Sequence, residues 1–150
     1  MKTILKILFL SCLMILAYSC KKETKTQQHV TITLYDKPLS VIQQYVTGNW
    51  KLQYEVGGIA GAKYVDTIHS YWDLTPNHII AGNDISGIYV DTTIIWIKAE
   101  NLFKNTPYTY LLSYSLSGFF HVYIINGIKN DTLIITDYEG DGFTYYFTKN

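Results

Sequence analysis

The chain has 150 residues, carries a formal net charge of zero and is 48% hydrophobic, enough apolar content for a single core-forming domain. All twelve basic residues are Lys, so no Arg is present to grip phosphate in bidentate fashion. No basic stripe faces a nucleic-acid backbone either, and no nucleic-acid partner is expected.

Met1–Ser19, MKTILKILFLSCLMILAYS, opens with Lys2 and Lys6 and continues into an apolar run, Ile7–Ala17. This is the pattern of an export signal, too short for a comfortable bilayer span, and it is set aside from fold reasoning. Leu16–Cys20, LAYSC, resembles a bacterial lipobox, with Ala17 and Tyr18 where such a box usually holds Leu and a small residue. That resemblance implies acylation of Cys20 by palmitate-like chains, with the lipid bilayer as partner. The implied location is the cell envelope, at an outer membrane, facing the periplasm or the cell surface. The plainer reading is secretion with a free Cys20. Cys12 lies in the signal, so the exported part has no disulfide and must be held by its core.

Residues 20–35 read as a lipid-anchored tether. Lys21–Gln28 is polar without periodicity, and His29–Leu34 alternates enough to be either a short strand or the tether's end. The folded domain is expected over 36–150. Asp36 as cap, Pro38 in the first turn and Gly48 as stop predict a helix over Asp36–Thr47, with Leu39, Ile42, Tyr45 and Val46 on one face.

From Gly48 the period changes to two. Trp50, Leu52, Tyr54 and Val56 alternate with Lys51, Gln53 and Glu55, which predicts a half-buried strand. Further strands are predicted over Thr67–Leu74, His78–Ala81, Gly87–Asp91, Thr92–Ala99, Tyr108–Leu116, Phe119–Ile125, Thr132–Tyr138 and Gly142–Thr148. Turn signals, including Asn126-Gly127 and Gly140-Asp141-Gly142, separate them. Ala99–Phe103 reads as one helical turn. Short connections make an antiparallel meander, and the expected fold is an all-β, up-and-down barrel of eight or nine strands. Ile94 to Ile97, and Phe119 with Phe120, are apolar on both faces, so the helix is expected to cover the outer face.

A helix leading into Gly48-Asn49-Trp50, then a meander ending in NDTLIITDYEGDGFTYYFTKN, resembles a lipocalin-like domain. More narrowly, it is similar to the small lipocalin-like lipoproteins of Bacteroidota. The resemblance covers Leu39–Lys149. It implies that Trp50 closes one end of the barrel under a basic side chain from near the chain's end. The family's Arg has no counterpart, which leaves Lys149 or Lys129 to lie over the ring.

His29, His69, His78 and His121 show no metal-ligand spacing, and no metal or cofactor is expected. Asp137–Gly142, DYEGDG, departs from a calcium loop at its third and twelfth positions and reads as a tight turn. No nucleophilic Ser motif or carboxylate pair is apparent, so no catalysis is expected. Asp-Thr-aliphatic or Asp-Thr-Thr triplets at Thr67, Thr92 and Thr132 resemble the O-glycosylation sequon of exported Bacteroidota proteins, and equally suit a turn entering a strand. The aromatic strand residues Trp50, Tyr54, Trp72, Trp96, Tyr110, Tyr114, Phe120 and Tyr145 are the candidate barrel lining. They either leave a cup for a small apolar or amphipathic ligand or fill the interior, in which case the chain acts as an adaptor for an envelope protein.

Overall fold

The computed structural model describes residues 31–58, 60–103, 105–138 and 141–150. The signal segment, Cys20, His29 and the tether up to residue 30 lie outside the described residues. Eleven strands and one helix follow: β1 (Thr31–Thr33), α1 (Leu39–Val46), β2 (Gly48–Gly57), β3 (Ala62–Val65), β4 (Tyr71–Leu74), β5 (His78–Asn83), β6 (Gly87–Thr93), β7 (Ile95–Phe103), β8 (Thr106–Leu116), β9 (Phe119–Lys129), β10 (Thr132–Asp137) and β11 (Thr144–Lys149).

The fold is all-β and antiparallel. Its strands are ordered β6-β5-β4-β2-β11-β10-β9-β8-β7, with β3 added to β2 and β1 added to β9. A meander therefore returns on itself where β11 pairs with β2, Tyr145 opposite Glu55 and Lys149 opposite Trp50. The ladder is open between β6 and β7, so the eight- or nine-strand closed barrel of the sequence reading is not what is seen. Ile94 joins these two terminal strands, its N–H donating to Asn77 O. β7 begins opposite Ser113, which leaves Tyr114–Leu116 without a β7 partner. There β6 approaches β8 with Cα atoms within 8 Å but no ladder among the described residues.

Several boundaries move. β1 pairs Thr31 with Lys129 and Thr33 with Gly127, and Leu34 is fully buried, so residues 31–35 belong to the domain and not to the tether. A Cβ on Gly127 would run into the Ile32 carbonyl, which is why the passing strand needs Gly there. Asn126-Gly127 is thus a bulge inside one long β9, not a turn. Ala99–Phe103 is strand, not a helical turn, because Ala99, Glu100 and Phe103 pair with β8. The expected Thr67–Leu74 strand starts only at Tyr71, and β3 was not anticipated.

The helix is shorter than predicted. Pro38 is extended (ψ 149°) and occupies the cap position without a side-chain bond, while Asp36 pairs with Lys37 instead of capping. Ile42 and Val46 enter the same core as Leu34, Trp50, Leu74, Ile79, Leu133 and Phe147. The helix therefore plugs one end of the curled sheet. It does not cover the outer face, where Ile95, Ile97 and Phe120 remain exposed.

Of the four register shifts among the described strands, three bear on the inner surface. Gln53 has no partner between the Leu52–Phe147 and Tyr54–Tyr146 pairs, so β2 changes phase after Leu52. Tyr89 is likewise the extra residue of β6, between Val90 opposite Ala81 and Ile88 opposite Gly82. Asn126 is the third, on β9.

Candidate functional site

The inner surface has two ends of different character. At the helix end Trp50 is buried, and its indole N–H donates to Val46 O at 2.6 Å. Lys149 Nζ lies 5.6 Å from the Trp50 ring centroid, within cation–π range. Lys149 rather than Lys129 thus supplies the basic cover. Gly48 permits this, with φ of +138° and space for a Cβ only 3.2 Å from Lys149 Cε.

At the other end lies a half-open cavity of about 340 Å³. Its walls come from both halves of the sheet: Leu52 and Glu55 of β2, Trp72 of β4, Tyr89 and Val90 of β6, Tyr114 of β8, His121 and Tyr123 of β9, and Tyr145 of β11. His121, Tyr123 and Tyr145 also border an adjoining space of about 350 Å³, lined further by Phe119, Phe120 and Asp137. The cup thus opens toward two exposed phenylalanines.

Its rings are mutually fixed. Trp72 meets Tyr123 edge-on at 5.2 Å and leans on Phe147 at 4.9 Å, while Tyr114 stacks on His121 at 5.1 Å. Their hydroxyls are paired as well. Tyr114 and Tyr123 share a hydrogen bond at 3.3 Å, and Tyr145 donates to Asp137 Oδ2 at 3.2 Å. The same Asp137 oxygen accepts the Phe143 N–H at 2.9 Å, which ties the β10–β11 turn to the cup wall. Of the expected DYEGDG turn, Glu139 and Gly140 lie outside the described residues.

Burial pushes the phenols of Tyr114, Tyr123 and Tyr145 above their ordinary value of 10.0. The Tyr114–Tyr123 bond partly offsets this for Tyr114, whereas Asp137 adds to it for Tyr145. At neutral pH all three are therefore protonated hydrogen-bond donors. The Glu55 carboxyl is also raised, first by burial and then by the charges of Asp137 and Asp66. No Lys or His forms an ion pair with Glu55 among the described residues.

Of the eight expected lining residues, Trp72, Tyr114 and Tyr145 line the cup and Phe120 borders its mouth. Trp50 belongs to the plugged end. Tyr54 turns away, stacking on Tyr146 at 4.4 Å with Lys63 Nζ 3.8 Å over its ring, because the Gln53 bulge reverses the alternation. Trp96 and Tyr110 pack against the core elsewhere, Trp96 donating to Pro76 O at 2.7 Å. Glu55, expected outward, points in. Tyr89, His121, Tyr123 and Asp137 were not singled out as lining, although alternation from Tyr114 and Tyr145 carries a signal for Tyr123.

Elsewhere, His69–Asp84 and His78–Asp91 form pairs that no sequence proximity announced. Both are largely exposed and worth little to stability. The first borders a polar depression of about 390 Å³ with Asn49, Lys51, Tyr71 and Asn150. Among the described residues no group of three or more His, Cys, Asp or Glu is placed to hold a metal. Thr67 is exposed in the β3–β4 connection, and Thr92 and Thr132 are half-buried on β6 and β10. Comparison of the chain with protein-family models, with curated proteins and with solved structures returns no match.

Proposed function

We propose that this chain is a non-catalytic binding protein, exported and anchored through acylated Cys20, that carries a small apolar or amphipathic ligand in a lipocalin-like barrel. The observation that carries the reading is the cavity of about 340 Å³ walled by Trp72, Tyr114, Tyr123 and Tyr145. It is near the lower end of ligand-pocket sizes, mostly aromatic, with a few convergent polar groups. Support for the lipocalin-like arrangement comes from the return of β11 to β2 and from the Gly48, Trp50 and Lys149 assembly.

Trp72 stands in the cup wall and reports on occupancy. Titration of the wild-type protein with fatty acids, haem and bile acids, read by tryptophan emission, is expected to change the signal for at least one class. The response should disappear in Trp72→Phe. No response to any compound, with no shift in melting temperature, would defeat the carrier reading. For the anchor, Cys20→Ala is expected to move the protein out of the membrane fraction; unchanged fractionation would refute it.

The outer face favours a second reading, that of an envelope adaptor. Ile95 and Ile97 are 50% and 40% exposed beside Leu111, and the buried hydroxyls of Thr109 and Ser113 have no hydrogen-bond partner among the described residues. In-cell crosslinking would support it by an adduct that Ile95→Glu with Ile97→Glu abolishes. Absence of any adduct in the wild type would remove it.

A further inference from the structure

We propose that the cup selects an organic cation, an ammonium group on a small apolar body, over the carboxylate ligands that a generic apolar cup accepts. This rests on the reading that the cup binds a ligand at all, and it names the class. The geometry carries it in two ways. Six aromatic side chains, Trp72, Tyr89, Tyr114, Tyr123, Tyr145 and Phe147, line one cavity, and the faces of such rings attract a positive charge. The charges around them have one sign. Glu55 is in the wall, Asp137 holds the Tyr145 hydroxyl, and Asp66 accepts from the N–H and hydroxyl of Ser70, itself a lining residue.

No Lys lines the cup or the adjoining space among the described residues, and the chain has no Arg. His121 is the one lining side chain able to take a positive charge. A carboxylate ligand entering here would face Glu55 and Asp137 with no fixed cation to offset its desolvation. An ammonium would meet rings on several sides and a carboxylate with no ion-pair partner among the described residues. The Gln53 bulge turns Glu55 inward, and its carboxyl pKa is raised first by burial and then by the charges of Asp137 and Asp66.

The test uses three probes of one chain length, octyltrimethylammonium, octanol and octanoate, titrated by calorimetry and by Trp72 emission. The cation is expected to bind at least tenfold tighter than octanoate, with octanol between them. Glu55→Gln should reduce that preference at least fivefold while keeping octanol affinity, and Glu100→Gln on exposed β7 should leave it unchanged. Circular dichroism confirms the fold of each variant, and Asp137→Asn supplies a second route if Glu55→Gln does not fold. Octanoate binding as tightly as the cation, or a cation preference indifferent to both carboxylates, overturns the proposal and leaves the cup reading standing. Binding of haem or a bile acid with none of the cation does the same. Silence from every compound, including the wider panel, removes the cup reading itself.

Discussion

At the helix end of the sheet, Leu34, Ile42 and Val46 are fully sealed from solvent, and the one polar atom of Trp50 is satisfied by Val46. At the cup end, Tyr114 and Tyr123 are nearly as buried, yet each ring carries a hydroxyl that must find a partner. The two ends share strands, alternation and aromatic content. They differ in what the inward side chains carry at their tips. Aliphatic tips and a satisfied indole are buried at the core side of the helix end, where apolar burial is the main stabilising term. Beside it, Trp50, Tyr45, Ile32, Ile128 and Lys149 border a half-open space of about 390 Å³. Phenols and a carboxylate carry polar tips that must be hydrogen-bonded or desolvated at a cost, and they line a space of about 340 Å³. Apolar and polar-tipped inward side chains thus divide the same strands along their length.

The contrast is broken most severely at the plug. Trp50→Ala is expected to cost about 3–5 kcal/mol in urea unfolding, since it leaves a cavity under Lys149 and unties α1. A loss no larger than that of an exposed aromatic would mean the helix end is not the stable one. Gly48→Ala comes next, at about 1–3 kcal/mol, because the residue holds a left-handed φ and approaches Lys149. Wild-type stability in that variant would show that the entry to β2 is less constrained than its geometry implies.

At the cup end the effects are smaller and depend on pH. Tyr123→Phe removes one hydroxyl pair and is expected to cost about 0.5–1.5 kcal/mol at neutral pH. The Tyr123 phenol titrates higher in the fold than its ordinary 10.0, so its contribution is complete below pH 10.0 and is lost as pH rises beyond it. Alkaline unfolding of the variant should therefore be less steep than that of the wild type; equal slopes would sink the argument. Glu55→Gln is the smallest and has the opposite sign. Its carboxyl is raised in the fold, so the ionised group destabilises above the ordinary 4.5 and not below it. Melting temperature is expected to rise by about 1–3 °C at pH 7, with the gain vanishing in acid. A gain that persists below pH 4.5 would point to packing instead of charge.

How much of this was legible in the sequence follows the same division. Alternation placed Trp50, Trp72, Tyr114 and Tyr145 inward, because strand period is a backbone property that needs no partner. The resemblance left Lys149 or Lys129 to lie over Trp50, and the observed contact is that of Lys149. Bulges were invisible. One extra residue at Gln53 turned Tyr54 out and Glu55 in, and another at Tyr89 added a second lining residue to β6. Which strand absorbs an extra residue is set by ladder strain and twist across the sheet, and no single segment carries that information. Asn126-Gly127 shows the same limit. Its turn-like dipeptide serves a bulge because β1 crosses there, a contact between segments more than ninety positions apart in the chain.

Where β6 approaches β8, Tyr89 and Val90 face Tyr114 and Leu116 across the cup with no ladder between the strands. Among the described residues no ladder bond crosses that seam, so local opening there opposes the packing of facing side chains and not the cooperative stability of the sheet. In hydrogen-exchange terms, the amides along this margin of β6 should trade protons long before those of β2 and β11, which sit mid-sheet with a neighbour on either side. The same side chains form one margin of the cup.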